Sequence, residues 1–212
     1  MLYRTESFEK TDAVMAEMRS ICKFLYQWRK YKPIVAGGAL WSWAANKHCR
    51  DADVFMRKRM FLENKILKYF ETNKEIVNLS GLHTSHGVYG RRSHTEKKIP
   101  FDLYKVFLAQ EKIAIDVILT GNRPIDTVRR NFDYEHCKVG FGKNQLVATG
   151  VDAYSQGKLK TDYSAENVRP EWVILNKIQP DLWGKDIAAV KLLDVLNTLS
   201  GMYAQVEAEN NV

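Results

Sequence analysis

One carboxylate set inside an apolar run constrains this chain more than any other feature. In Ile113-Ala114-Ile115-Asp116-Val117-Ile118-Leu119, six aliphatic residues surround Asp116. A run of this length and composition reads as a buried strand. A buried carboxylate without a partner is costly, so the fold must give Asp116 something to meet. A solvent-facing place on an edge strand is the alternative, and the apolar neighbours on both sides argue against it. A chain built around such a strand is a globular α/β protein with a real core. The 212 residues, 45% apolar and 11% aromatic, suffice for one domain with a small addition.

A second carboxylate cluster lies upstream. Asp51-Ala52-Asp53-Val54-Phe55-Met56 alternates polar and apolar, a strand signature. Positions i and i+2 of a strand face the same way, so Asp51 and Asp53 stand side by side. Like charges so placed raise each other's pKa. A divalent cation removes that repulsion and favours oxygen ligands. Before them, Ile34-Val35-Ala36 forms a short apolar strand that runs into Gly37-Gly38 and a helix over 39–47. Glycines at such a turn let the backbone approach a phosphate, and the N–H groups of a helix start favour its charge.

The remaining pattern places these pieces. Residues 6–30 predict an amphipathic helix with Val14, Met15, Met18, Ile21, Cys22 and Leu25 on one face, capped by Ser7 or by Thr11-Asp12 and stopped before Pro33. Arg57 to Phe70 predicts a second helix with Met60, Phe61, Ile66, Leu67 and Phe70 inward. Residues 80–99, with Gly81, Gly87, Gly90, Arg91, Arg92, Lys97 and Lys98, predict a mobile basic loop. A strand over 102–108, a turn at Gln110-Glu111-Lys112, the Asp116 strand and a helix from Pro124 to Arg130 follow. His136–Phe141 and Gln145–Thr149 predict a hairpin around Gly142-Lys143-Asn144. From about Val151 the pattern turns helical, most clearly over Lys185–Tyr203. The expectation is a core over 1–150 with a helical region, 151–212, packed on it.

Twelve residues separate Gly38 from Asp51, and Asp116 follows Asp53 by 63. The ordered set Val35-Ala36-Gly37-Gly38-Ala39-Leu40, Asp51-Ala52-Asp53-Val54 and Ile115-Asp116-Val117 resembles the nucleotidyltransferase superfamily of DNA polymerase β, the CCA-adding enzymes and the small bacterial and phage nucleotidyltransferases. The Gly-Gly-Ala start looks most like the CCA-adding and poly(A) polymerase branch. That branch often carries Arg-Asp where this chain has Trp41-Ser42. The resemblance covers about residues 33–120. It implies a nucleotidyltransferase fold of the α/β (α+β) class, with a mixed sheet, flanking helices and a helical C-terminal region. It implies that Gly37 and Gly38 hold an NTP triphosphate. Asp51 and Asp53 bind both Mg²⁺ (or Mn²⁺) ions, and Asp116 binds the catalytic one and helps deprotonate an acceptor hydroxyl. The reaction implied is transfer of a nucleoside monophosphate with release of pyrophosphate.

The acceptor is less defined. A formal charge of +7 and a pI near 9.2 favour RNA, especially a tRNA end. A toxin–antitoxin-type enzyme modifying protein or tRNA, a non-catalytic nucleotide- or RNA-binding module of the same fold, and a nuclease or phosphodiesterase are the rivals. The last gives Gly37-Gly38 no task. The charge surplus is assigned to the 80–99 loop and the outer helix faces, where it guides an acceptor or is simply solvated.

Other features carry less. His48-Cys49 and His136-Cys137 have the residue types of a zinc site, but neighbours on a strand point to opposite sides and rarely reach one ion. Asp133 reads as a cap or turn. Trp28, Trp172 and Trp183 read as core, and Lys185 and Lys191 begin the last helix. Three Cys, no apolar stretch of about 20 residues and a charged N-terminus predict a reduced cytoplasmic protein that neither binds nor crosses a membrane.

Overall fold

A computed structural model describes residues 9–49, 51–60, 62, 64–66, 68, 77–78, 84–89, 99–108, 113–132, 137–147 and 185–211. The expectations that rest on 110–112, on 151–184 with Trp172 and Trp183, and on Asp133 and His136 lie outside these residues.

Helix α1 spans Asp12–Gln27. The Thr11 hydroxyl accepts from the Val14 N–H at its start, the capping expected of a Thr at this position. Val14, Met18, Ile21, Cys22 and Leu25 are buried at helical spacing, whereas Met15, expected on the same face, is exposed. A 3₁₀ turn, Arg29–Tyr31, follows, and Lys32 in the left-handed region (φ 49°) redirects the chain ahead of Pro33. Strand β1 is Ile34–Ala36, fully buried. Helix α2, Gly38–Ala44, and strand β2, Asp51–Arg57, come next. Strands β3 (Val77–Asn78), β4 (Thr84–Tyr89), β5 (Ile99–Leu108) and β6 (Ile113–Thr120) lead to helix α3, Pro124–Asn131. A hairpin of β7 (Gly140–Gly142) and β8 (Gln145–Val147) precedes the long helix α4, Lys185–Glu209.

The strands form one mixed sheet in the order β3-β5-β6-β2-β1-β7-β8. Strand β4 joins the outer edge of β5 beside β3, pairing residues 99–104 while β3 pairs 107–108. Only β2 and β6 run parallel among these pairs. The class is therefore α/β with a mixed sheet and flanking helices, as the sequence predicts.

The two faces of the sheet carry different cover. Phe141 lies beside Val35 in the ladder and meets Tyr203 of α4 edge-on, with centroids 6.3 Å apart. Tyr203 also meets Tyr26 of α1. Helix α4 packs against α1 and α2, and the Lys10–Asp194, Arg19–Glu209 and Lys143–Glu207 ion pairs hold it to α1 and to the hairpin. On the other face Phe55 stacks against Phe132, 5.6 Å between centroids, and Thr120 meets Thr127 of α3. No helix among the described residues is long and apolar enough to cross a membrane.

Four further local expectations change. Residues 84–89 form a strand and not a loop, because antiparallel pairing with β5 supplies partners that His86 and Gly87 do not advertise locally. Ile99 opens β5, and the other residues of that predicted loop, Arg91, Arg92, Lys97 and Lys98 among them, lie outside the described set. Strand β2 continues through Arg57, so the following helix begins later than predicted. Among its described residues Leu62 and Ile66 are buried, Met60 is 83% exposed, and Phe61, Leu67 and Phe70 lie outside the described set. Strand β7 starts at Gly140 and not at 136, because the Val139 N–H turns back to the Cys137 carbonyl. Helix α4 runs six residues past Tyr203.

Candidate functional site

The β1–α2 turn and the β2–β6 pair build the site. Gly37 has φ +75° and ψ −130°, a conformation open almost only to glycine. A Cβ there would stand 2.8 Å from Cε1 of Phe132. The Gly37 N–H donates to the Val139 carbonyl at 3.1 Å, which locks the turn to the segment leading into β7. Gly38 differs. It opens α2, and a Cβ on it would meet nothing within 4 Å. Gly37 is thus required by the fold, whereas Gly38 leaves open space over the turn.

The ladder brings the carboxylates to this turn. Asp53 is the partner of Ala36 on β1, the residue just before Gly37. On its other side Asp53 is the partner of Asp116 on β6, in register. Residues paired in register share a face, so Asp53 and Asp116 project together from adjacent parallel strands. Asp51 lies on the same face, opposite Ala114. Asp116 is 8% exposed, and Asp51 and Asp53 are half-buried. Phe55 and Phe132, both buried, bound this face on the side away from Asp51.

The structure thus puts Gly37, Gly38, Asp53 and Asp116 around one point and Asp51 one strand repeat, about 7 Å, further along. Among the described residues no group of three or more His, Cys, Asp or Glu side chains stands close enough to hold a metal ion. The donor set suits a hard, oxygen-ligated cation: carboxylates only, two of them directly opposed. What it lacks is closure of Asp51 onto the opposed pair. Like charges have no reason to close on one another unaided.

Two buried charged groups near the site escape a reading by motif. Glu17 of α1 is 1% exposed. Its carboxylate accepts from Trp43 Nε1 and from the Cys49 N–H, each at 2.9 Å, and contacts Nδ1 of His48. It therefore holds the end of α2 and the connector that delivers Asp51. The Cys49 thiol continues the chain, donating to the Asp51 carbonyl at 2.8 Å. Burial, then the negative charges of Glu17, Asp51 and Asp53, push this thiol well above its ordinary pKa. The side chains of His48 and Cys49 thus turn to different partners, Glu17 and the Asp51 carbonyl. The signal for Glu17 was present: it lies on the apolar face of α1, as Asp116 lies within an apolar strand. The second group is Lys138, 9% exposed, next to the residue whose carbonyl holds Gly37. Lysine is rarely so buried, but one residue in a short segment leaves no periodic trace.

No family model, no curated protein and no solved structure matches this chain. The geometry is therefore what bears on function. A groove of about 430 Å³ between the β7–β8 hairpin and α4, lined by Phe141, Leu196 and Tyr203 among others, lies on the opposite face of the sheet from the carboxylates.

Proposed function

We propose that this chain is a metal-dependent nucleotidyltransferase of the polymerase-β type, moving a nucleoside monophosphate from an NTP to an acceptor hydroxyl. The observation that carries the reading is the in-register pairing of Asp53 with Asp116, one ladder position from the Gly37 turn. Asp53 and Asp116, with Asp51 beside them, are the residues that would hold Mg²⁺ or Mn²⁺. The cation supplies charge neutralisation at the phosphates and polarises the acceptor oxygen. The chain does the rest. The backbone at Gly37-Gly38 receives the triphosphate, with open space above Gly38. Asp116, the most buried of the three acids, takes the proton from the acceptor hydroxyl. The new bond joins the acceptor oxygen to the α-phosphorus, the bond from that phosphorus to the β-phosphate oxygen breaks, and pyrophosphate leaves.

The test is incubation with α-labelled NTPs and total cellular RNA or protein, with the label followed. Asp53→Asn should lower transfer at least about 100-fold, the scale of losing one charge-stabilising group. Unchanged transfer by this variant refutes the assignment. A second reading is a binding module of the same fold without turnover. Metal-dependent NTP binding without pyrophosphate release would select it.

A further inference from the structure

Strand β2 leaves the sheet through Arg57-Lys58-Arg59-Met60, and all four residues are exposed. The run is held rather than loose. The Lys58 N–H donates to the Thr120 carbonyl at 2.8 Å, fixing it to the end of β6. The Leu62 N–H then donates to the Arg59 carbonyl, and Leu62 and Ile66 anchor the following segment in the core. Lys65 and Lys68, on the same segment, are exposed. Residues 57–68 carry five cations against one carboxylate, Glu63, a net +4 of the chain's +7. Met60, 83% exposed, is the most exposed large apolar side chain among the described residues.

The position matters as much as the charge. Arg57 is on the same face of β2 as Asp51 and Asp53, four residues beyond Asp53, or about 13 Å along the strand. Buried Phe55 lies between them. One face of one strand therefore runs from acids to an apolar residue to a basic exit.

We propose that the 57–60 run, extended by Lys65 and Lys68, is a docking surface for the phosphodiester backbone of a single-stranded nucleic acid. Fixed cations in sequence neutralise successive phosphates and release their counterions. Met60 gives an apolar, polarisable contact for a base face. The packed Phe55–Phe132 pair fills the face of β2 between this run and the acids, so the surface is a contact separate from the carboxylates, about 13 Å from Asp53.

The experiment is fluorescence anisotropy with labelled single-stranded RNA and DNA decamers over a salt series, using the full chain. Wild type is compared with Arg57→Gln/Lys58→Gln/Arg59→Gln, with the folding of both checked by thermal melting. Losing three phosphate contacts should flatten the log–log salt slope by about 2 and weaken binding about tenfold or more at low salt. Lys65→Gln/Lys68→Gln should reproduce part of the loss without touching β2. Asp53→Asn should bind the decamers at least as well as wild type. Tighter binding of RNA than DNA assigns the surface to RNA, and equal binding assigns it to the shared backbone. An unchanged slope in the triple variant, or equal binding of poly-glutamate, overturns the proposal. Decamer binding that persists without label transfer removes the transfer reading alone and leaves the surface standing.

Discussion

Replacing Gly37 with Ala sets two local costs against the rest of the fold. The first is backbone strain. At φ +75° and ψ −130° a residue with a Cβ is held in a region used almost only by glycine, which costs about 1–3 kcal/mol. The second is steric. The added Cβ falls 2.8 Å from Cε1 of Phe132, which is itself 4% exposed and stacked on Phe55. Overpacking at such a place costs about 1–3 kcal/mol. The sum is about 2–6 kcal/mol, a large share of the stability of an ordinary domain. At about 4 kcal/mol the melting temperature falls by roughly 8–16 °C for a chain of this size. Gly38→Ala has neither cost, since nothing lies within 4 Å of its Cβ. Alanine in a helix is about 1 kcal/mol better than glycine, so stability should hold or rise. Urea unfolding of the two variants measures the contrast. Phe132→Leu in the Gly37→Ala background should recover the steric part and leave the backbone part. A loss below about 1 kcal/mol for Gly37→Ala, or equal losses for both glycines, refutes the reasoning. If the turn cradles a triphosphate, Gly38→Ala weakens NTP binding while the protein stays folded.

Glu17→Ala leaves the buried Trp43 Nε1–H and Cys49 N–H without their acceptor, at about 1–3 kcal/mol each. Glu17→Gln keeps one acceptor oxygen and should lose clearly less in denaturant unfolding; equal losses would mean that the hydrogen bonds are not what Glu17 supplies. Burial raises the Cys22 thiol from about 9 to about 12, against a smaller opposing effect of Arg19. The fold favours the neutral thiol, so this contribution is intact below about pH 9 and is lost as pH rises toward about 12. Melting temperatures should fall over that window, and Cys22→Ala should flatten the fall. All three cysteines are buried, so a thiol reagent at neutral pH should label none until urea unfolds the chain; fast labelling of the native protein contradicts the packing of α1 and β2.

Much of the site was legible locally because its signals are local. A carboxylate amid aliphatics, an i, i+2 acidic pair and a Gly-Gly turn between strand and helix are each set by a few neighbouring residues. The same rule would have found Glu17, whose carboxylate interrupts the apolar face of α1. Residues 84–89 were missed for the opposite reason. Their strand state comes from β5, whose paired residues lie 10 to 20 positions further along the chain, and not from their own composition. Met60 is exposed because the helix begins later than its periodicity predicts, and a shift of a few residues in a 3.6-residue period moves a side chain to another face.

The sequence by itself determined which residues are acids on strands, which face Asp51 and Asp53 share, and that a glycine turn precedes them. Periodicity fixes such things within one segment. The tertiary structure alone decided that β2 and β6 run parallel with Asp53 opposite Asp116 and Asp51 opposite Ala114. Register between strands 63 residues apart is set by which apolar faces can be buried together, and no single segment encodes it. The same holds for the two glycines. They are identical and adjacent in the sequence, and only the ring of Phe132 packed against one of them separates a glycine the fold requires from one it leaves open.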